Sequence, residues 1–319
     1  MSSGLGHERP LGGPPPGETD RPTADGNSRR GRRRALTVIA AAVCLFLLSL
    51  EVVHLVVISA YGSQYLPVCR VNTTERLVSL TFDDGPDPRY YSRIITLLQR
   101  YGGHGTFFLI GSRASRYPNL VSAELAAGME LGNHTWSHVR HDLSSTTAMM
   151  TQVERTDGIL AEAGSRSGLF RAPFGDMTAD QSRALARSGS LPIHWSLAVD
   201  HYVSGLGMSP TDAADSLARD VRRGDIILAH DAQIGYRDVD ERRRAIETLA
   251  LLLPKLHASG FRFVPVTELL AEGSKVRAMP RPWFWQSGFA CTPEKARSDA
   301  MGVAIRSARA PGGSRTPTF

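Results

Sequence analysis

The sequence predicts an α/β fold in which a barrel of about seven parallel strands follows a single N-terminal transmembrane helix. Two patterns carry this prediction: one long apolar run near the N-terminus, and seven short apolar runs that alternate with stretches of helical spacing. The length of 319 residues suits one large domain with appendages. Hydrophobic residues make up 42% and charged residues 21%, which excludes a wholly disordered chain.

The N-terminal region consists of a polar segment, 1–35, and an apolar segment, 36–60. The polar segment is rich in glycine and proline and carries five arginines beside the apolar run, so we predict a disordered, basic cytoplasmic segment. The apolar segment has 25 residues, whereas a membrane-spanning helix needs about 20. Because the arginines lie on its N-terminal side, we predict a signal anchor in the cell membrane that leaves the rest of the chain outside the cytoplasm.

Two alternatives to the signal anchor stay open. Glu51 and His54 interrupt the run, and the part before Glu51 has the length of a signal-peptide core, so secretion after cleavage is one alternative. A buried helix of a soluble protein is the other, and the arginine flank counts against it. The lack of a clear small-residue cleavage site and the return of apolar residues after Glu51 favour the anchor.

The rest of the chain divides into a linker, a folded domain and a partly disordered C-terminal extension, at 61–74, 75–270 and 271–319. Cys69 precedes the first predicted strand and Cys291 follows the last predicted helix. Outside the cytoplasm these two cysteines could form a disulfide, and two unrelated thiols are the alternative. The aromatic residues 283–285 are predicted to pack on the barrel rather than to form a sugar-stacking or membrane-interface patch.

Seven short apolar runs are predicted to be strands, at 77–82, 105–110, 129–133, 169–171, 193–199, 225–229 and 261–264. The amphipathic stretches between them predict helices, at 90–101, 119–128, 146–163, 179–188, 210–222 and 242–259. Strands that alternate with helices are parallel, and each helix forms the crossover to the next strand. Seven such units favour a barrel over an open sheet.

The net charge of +6 does not predict nucleic-acid binding, because the positive charge lies in the termini. Residues 1–35 carry seven arginines against four acidic residues, and 271–319 carry eight basic against three acidic residues. The middle of the chain is slightly acidic, whereas a nucleic-acid-binding domain concentrates positive charge. The sequence also lacks the glycine-rich nucleotide loops and the Gly-x-Ser-x-Gly motif of serine hydrolases.

Polar residues follow the predicted strands. They are Asp83 and Asp84 after the first strand, His134 and His138 after the third, Arg171 at the end of the fourth, Asp200 after the fifth and His230 after the sixth. In a parallel barrel the carboxyl ends of the strands face one mouth, which holds the active site. We therefore expect these residues, which are distant in sequence, to converge.

His134 and His138 lie four residues apart, a spacing that can hold a metal ion but is often incidental. A third ligand is needed, and a carboxylate from another strand end would supply it. Two imidazoles and one carboxylate with an open position are typical of catalytic zinc and of some other divalent metals. Asp83 and Asp84 could then divide the work between a metal ligand and a free base. The alternative is that Asp-Asp-Gly-Pro is only a strand-to-turn cap.

Four motifs occur in order: Thr-Phe-Asp-Asp-Gly-Pro at 81–86, His-Thr-Trp-Ser-His at 134–138, Arg-Ala-Pro-Phe-Gly at 171–175 and Ile-Leu-Ala-His at 227–230. Over roughly residues 75–270, they resemble the motifs of the polysaccharide deacetylases, the NodB-homology enzymes of carbohydrate esterase family 4. The resemblance implies a distorted (β/α) barrel. It also implies a metal-dependent hydrolase that removes N-acetyl groups from the amino sugars of a polysaccharide and releases acetate.

The resemblance also implies a role for each matching residue. Asp84, His134 and His138 would bind a divalent metal, usually Zn²⁺ in this family, with Co²⁺ and Mn²⁺ as other candidates. Asp83 would be the general base, and Arg171 would pair with it and hold it ionised.

Three further residues of the motifs would act on the substrate. The backbone N–H of Phe174 would bind the oxyanion, and Leu228 would line the pocket near the acetyl methyl group. His230 would be the general acid.

The stretch after the fifth strand departs from the family pattern of Asp-x-x-Asp-Trp. Asp200 matches the first aspartate, but Val203 and Ser204 replace the second aspartate and the tryptophan. In the family the second aspartate tunes the acid histidine, so Asp200, His201 and Tyr202 are the candidates to substitute for it.

We therefore predict a membrane-anchored, metal-dependent deacetylase of an extracytoplasmic N-acetylated glycan. Two alternatives stay open: a catalytically impaired glycan-binding protein, and a hydrolase of O-acetyl esters or small amides on the same fold. The predicted partners are the glycan and the membrane, with no nucleic acid, and no oligomeric state is predicted.

Overall fold

The protein is described here by a computed structural model for residues 25–140, 144–232, 239–280 and 289–291. The chain forms two compact units, Met1–Val53 and His54–Phe319. Helix α1, Asp25–Tyr61, contains a stretch of 22 residues that is long and apolar enough to cross a membrane, although a signal sequence or a core helix would meet the same criterion. Residues 25–35, predicted to be disordered, are helical, since arginine and alanine are good helix formers. The predicted disorder of residues 1–24 lies outside the described residues.

The second unit is built on one parallel sheet. Its strands are β2 Leu77–Asp83, β3 Thr106–Leu109, β4 Glu130–Asn133, β5 Leu169–Phe170, β6 Leu191–Pro192, β7 Leu197–Ala198, β8 Ile226–His230 and β9 Arg262–Phe263. Seven of them follow the order β6-β5-β4-β3-β2-β8-β7, and β9 pairs with the first two residues of β2. The sheet is a half-barrel with β6 and β7 at its edges, so the predicted α/β fold and distorted barrel are confirmed.

Helices form most of the crossovers between strands of the sheet, and a last short helix follows β9. They are α2 Tyr91–Gln99, α3 Gly111–Arg116, α4 Pro118–Ala126, α5 Thr146–Glu162, α6 Ala179–Arg187, α7 Pro210–Asp220, α8 Val239–Ala258 and α9 Val266–Ala271. Six of the eight were predicted to within a few residues. The short helices α3 and α9 were missed because six residues carry little periodicity.

The predicted strand at 193–199 is confirmed only at its end, where Leu197–Ala198 form β7. Residues 193–196 instead cross between the two edges of the sheet and bond to different neighbours: the His194 N–H donates to the carbonyl of Val68, and the Ser196 N–H to that of Ile226. An apolar run that closes a gap in a barrel is buried like a strand, so composition does not distinguish the two.

The alternation of side chains along β2 positions the first site residue. All seven residues of β2 are buried, which explains the continuous apolar run. Val78, Leu80 and Phe82 join the main hydrophobic core with residues of the crossover helices. Because successive side chains point to opposite faces of a strand, Thr81 and Asp83 face the other way, into the barrel.

Two antiparallel strand pairs, together called the ribbon, join the chain segments that precede and follow the barrel. Strand β1, Val68–Asn72, pairs with β10, Ser274–Arg277, and β11, Met279–Pro280, pairs with β12, Phe289–Ala290. Cys69 and Cys291 form a disulfide with their Cα atoms 5.8 Å apart, so this alternative is confirmed. The ribbon lies outside the predicted bounds of 75–270, in segments expected to be linker and extension. The aromatic residues 283–285 lie outside the described residues.

Replacing Cys69 by serine should lower the free energy of unfolding by about 2–4 kcal/mol, because the disulfide restrains the unfolded chain between residues 222 apart. Urea unfolding of the protein in detergent, followed by tryptophan fluorescence, measures the change. Cys44→Ser is the matched control, since Cys44 is a free thiol on α1. Equal unfolding midpoints for the wild type and the Cys69 variant would contradict the prediction.

Candidate active site

The predicted site residues converge at the carboxyl ends of the strands. They surround a cavity of about 360 Å³, whose lining is Asp83, Asp84, His134, His138, Ala172, Phe174, Gly175, Trp195, Leu228, His230, Glu241 and Arg242. The other two predicted residues, Arg171 and Asp200, do not line the cavity but contact residues that do. A larger surface pocket of about 520 Å³, beside Arg70, lies away from these groups.

Asp83 is held by a fully buried arginine. The Nη1 of Arg171 donates to Asp83 Oδ1 at 2.7 Å and to the hydroxyl of Thr81 at 2.8 Å. The Nη2 of Arg171 donates to the carbonyl of His194 at 3.1 Å, and its guanidinium carbon lies 4.2 Å from the centroid of the Phe108 ring. Arg171 is therefore a residue of the interior, not of the surface. A buried guanidinium at this distance fixes the orientation of the Asp83 carboxylate.

Three side chains next to Asp83 form a group that could hold a metal ion. Asp84 Oδ1 lies 3.5 Å from His134 Nε2 and 3.4 Å from His138 Nε2, and the three ligand atoms all lie within 4.8 Å of one another. His134 Nδ1 is 2.8 Å from the carbonyl of Arg171. A carbonyl can only accept, so Nδ1 carries the proton and Nε2 presents its lone pair to the site.

The chemistry of these donors fits a divalent cation. Asp84 Oδ1 is buried and has no hydrogen-bond partner among the residues that the structure describes. Burial by itself would raise the pKa of Asp84, but the imidazoles of His134, His230 and His138 hold it well below its usual range. Burial and the neighbouring His134 lower the pKa of His138 to about 4. At neutral pH the carboxylate is therefore ionised and the His138 imidazole neutral, as ligands must be.

The loops around the cavity have an unusual backbone conformation. Asp84, Thr135, His138 and Phe174 have φ angles of 81°, 65°, 53° and 60°, and they are the non-glycine residues with positive φ in the described part of the chain. Such conformations cost about 1–3 kcal/mol each and cluster at functional sites. Three of the four, Asp84, His138 and Phe174, line the cavity.

Two glycines allow close approach at this mouth. A Cβ on Gly85 would lie 2.0 Å from the carboxylate of Asp231, so the loop after β2 can pack there only without a side chain. Gly175 has a φ of 73°, and its Cβ would lie 2.9 Å from the Trp195 ring. The neighbouring Phe174 is 54% exposed and packs its ring 4.7 Å from that of His138.

His230 also lines the cavity and bonds to Asp200. Its Nδ1 forms a hydrogen bond with Asp200 Oδ2. Burial lowers the pKa of His230, but the Asp200 charge more than offsets it and raises the pKa to about 9. Among the three candidates in this loop, the partner is therefore Asp200. His201 is exposed, and Tyr202 donates its hydroxyl to Asp220 at 2.7 Å.

Sequence reasoning missed three residues that line the cavity: Trp195, Glu241 and Arg242. Trp195 lies between β6 and β7, outside the four motifs. Glu241 and Arg242 lie in the first turn of α8, outside any motif, and only the packing of that helix brings them to the mouth. No signal in the sequence distinguishes Arg242 from the two arginines that follow it.

Known proteins are similar to this chain in sequence and in fold. The family model described as polysaccharide deacetylase matches residues 70–191. A peptidoglycan-N-acetylglucosamine deacetylase of Bacillus cereus is 32% identical over 200 residues, covering 63% of this chain and 91% of that protein. A chitooligosaccharide deacetylase of Sinorhizobium fredii is 30% identical over 200 residues, covering 61% and 92%. The solved structure of a peptidoglycan N-acetylglucosamine deacetylase has a TM-score of 0.60 and 26% identity, covering 68% and 97%. The predicted resemblance is confirmed, and the chain belongs to the polysaccharide deacetylase family.

Proposed function

We propose that this polysaccharide deacetylase is a metal-dependent enzyme that removes N-acetyl groups from the amino sugars of an extracytoplasmic glycan. One observation carries the proposal: three ligand atoms lie together beside Asp83, a separate carboxylate that a buried arginine holds. A site that only binds a metal ion would need the three ligand atoms and nothing more. Together with Asp83, they supply both a cation site and a base within one cavity.

Asp83 acts as the general base in this proposal. Its Oδ2 is directed toward the metal-binding group, 3.8 Å from His134 Nε2, while Arg171 binds Oδ1. A divalent cation held by Asp84, His134 and His138 would polarise the acetamide carbonyl. Asp83 accepts a proton from the water that attacks the carbonyl carbon. The Phe174 N–H is the proposed donor to the developing oxyanion, and Leu228 contacts the acetyl methyl group.

His230 acts as the general acid. The C–N bond breaks only if the leaving nitrogen receives a proton, because an amide anion is a very poor leaving group. With a pKa raised to about 9, His230 is protonated at neutral pH and can donate that proton. The products are acetate and a free amino sugar.

The substrate proposed is a cell-wall glycan rich in acetamido sugars, such as peptidoglycan. The support comes from the similar proteins, which are named as deacetylases of peptidoglycan N-acetylglucosamine and of chitooligosaccharides. A cavity of about 360 Å³ lies in the usual range for small-ligand pockets and would accommodate a single sugar unit.

The location proposed is the cell membrane, with α1 as the anchor and the catalytic domain, 75–270 with its ribbon, outside the cytoplasm. The arginines before the apolar run support this orientation. The Cys69–Cys291 disulfide supports it independently, because disulfides persist in oxidising compartments.

Acetate release tests the function. The full chain in detergent, loaded separately with Zn²⁺, Co²⁺ and Mn²⁺, is incubated with peptidoglycan, chitin oligomers and O-acetylated esters. We expect acetate from at least one acetamido glycan. Bound metal without acetate from any substrate would favour the glycan-binding alternative. Acetate from esters alone would favour the esterase alternative.

Asp200→Asn should shift the basic limb of the kcat/KM profile to lower pH. The folded-state pKa of His230 is raised by Asp200, so the acid form is lost as pH rises through that pKa, and removing the charge brings this loss to lower pH. A bound cation lowers the pKa of the basic limb in both the wild type and the variant. The measured quantity is therefore the difference between their two limbs. Asp212→Asn, at the exposed start of α7, is the control. Coincident limbs would show that Asp200 does not tune the acid.

A further inference from the structure

Arg242 extends the contact between Asp200 and His230 by one residue. The Nη1 of Arg242 lies 3.4 Å from Asp200 Oδ1 and 3.3 Å from Asp200 Oδ2. Its residue is only 9% exposed, so solvent competes little for this contact. Asp200 is therefore held between a guanidinium on α8 and an imidazole at the end of β8.

The altered loop supplies no carboxylate to His230 from position 203. Val203, which stands where the family has its second aspartate, is fully buried and belongs to the main hydrophobic core. No carboxylate could approach His230 from that position without leaving the core. Asp200 is the carboxylate at His230, and Arg242 is its second partner.

The charge of Arg242 argues for an orienting effect. A cation close to His230 disfavours the protonated imidazole, so Arg242 does not strengthen the acid by its charge. Arg242 instead orients the Asp200 carboxylate, because it contacts both oxygens and so presents Oδ2 to His230 Nδ1. The imidazole is then held with Nε2 available to the substrate.

We propose that Arg242 is a positioning residue that, with Asp200, takes over the role of the missing second aspartate. It fixes the Asp200 carboxylate, which in turn orients His230 to protonate the leaving amine. This inference rests on the proposed deacetylase function.

Two substrates with different leaving groups separate this role from a general structural one. An acetamido sugar oligomer needs its nitrogen protonated, whereas 4-nitrophenyl acetate releases a phenolate that is stable without a proton. We expect Arg242→Gln to lower kcat on the amide by about 10–100-fold, the usual cost of losing a residue that orients a site group, with KM little changed. Hydrolysis of the ester and the bound metal should stay at wild-type levels.

The neighbouring arginine is the matched control. Arg243 is exposed on the same turn and pairs with Asp240 and Glu247, so Arg243→Gln should keep both activities. Arg242→Lys restores one donor and should recover part of the amide activity. If thermal melting shows that the glutamine variant does not fold, the lysine variant is tested in its place.

The outcomes separate the two proposals. An unchanged ratio of amide to ester activity in Arg242→Gln, or an equal loss in Arg243→Gln, would overturn the role of Arg242 alone. A lysine variant that shows no recovery while the glutamine variant is folded would also overturn it. A wild type that hydrolyses no acetamido substrate would overturn the proposed function and this inference together.

Discussion

Asp83→Asn should lower acetate release from an N-acetylated glycan by about 10²–10⁴-fold, the usual contribution of a general base. Asparagine has the shape of aspartate but cannot accept the proton from water at neutral pH. The three metal ligands are unchanged in this variant, so the bound metal should stay at one ion per chain. Acetate assays and metal analysis on the same samples measure both quantities.

Stability must be checked for this variant, because Arg171 is fully buried and loses its carboxylate partner. Breaking a buried ion pair can cost about 3–5 kcal/mol. Thermal melting therefore accompanies the assay. Asp87→Asn is the matched control, since Asp87 is a buried carboxylate in the loop after β2 that pairs with Arg89 at 2.6 Å instead. Near-wild-type turnover by a folded Asp83→Asn protein would remove Asp83 from the mechanism.

His138→Ala should abolish metal binding and lower acetate release by about 10²-fold or more. Loss of a residue that only orients a ligand already costs about 10–100-fold, and loss of the ligand itself should cost at least as much. A chelator should inactivate the wild type in the same way, and added Zn²⁺, Co²⁺ or Mn²⁺ should restore it. Equilibrium dialysis followed by metal analysis gives the stoichiometry.

His104→Ala is the control for this experiment. His104 is exposed, and its Nδ1 contacts the carbonyl of Gly128 at 3.0 Å, away from the cavity. Its variant should keep one bound ion and full activity. If the wild type stripped of metal turned over as fast as the loaded protein, the proposed metal dependence would be wrong.

The local pattern of the sequence was sufficient for most elements of the barrel. A strand such as β2 is buried on both faces, so its residues form a continuous apolar run in the sequence. Asp83 and Asp84 follow that run directly, and His134 and His138 lie in one short loop, so spacing along the chain reveals them. Adjacent residues in sequence stay adjacent in space, whatever the rest of the fold does.

The remaining features depend on contacts between distant parts of the chain, which only the tertiary structure decides. The pairing of Cys69 with Cys291 required the ribbon that brings the two flanks together. Of Asp200, His201 and Tyr202, only the side chain of Asp200 is directed toward His230, and this depends on how the short turn after β7 is placed. Arg242 reaches that carboxylate because α8 packs beside the mouth, and three consecutive arginines in the sequence look alike until burial separates them. Local burial and spacing are recorded in the sequence, whereas which distant groups meet depends on the path of the whole chain.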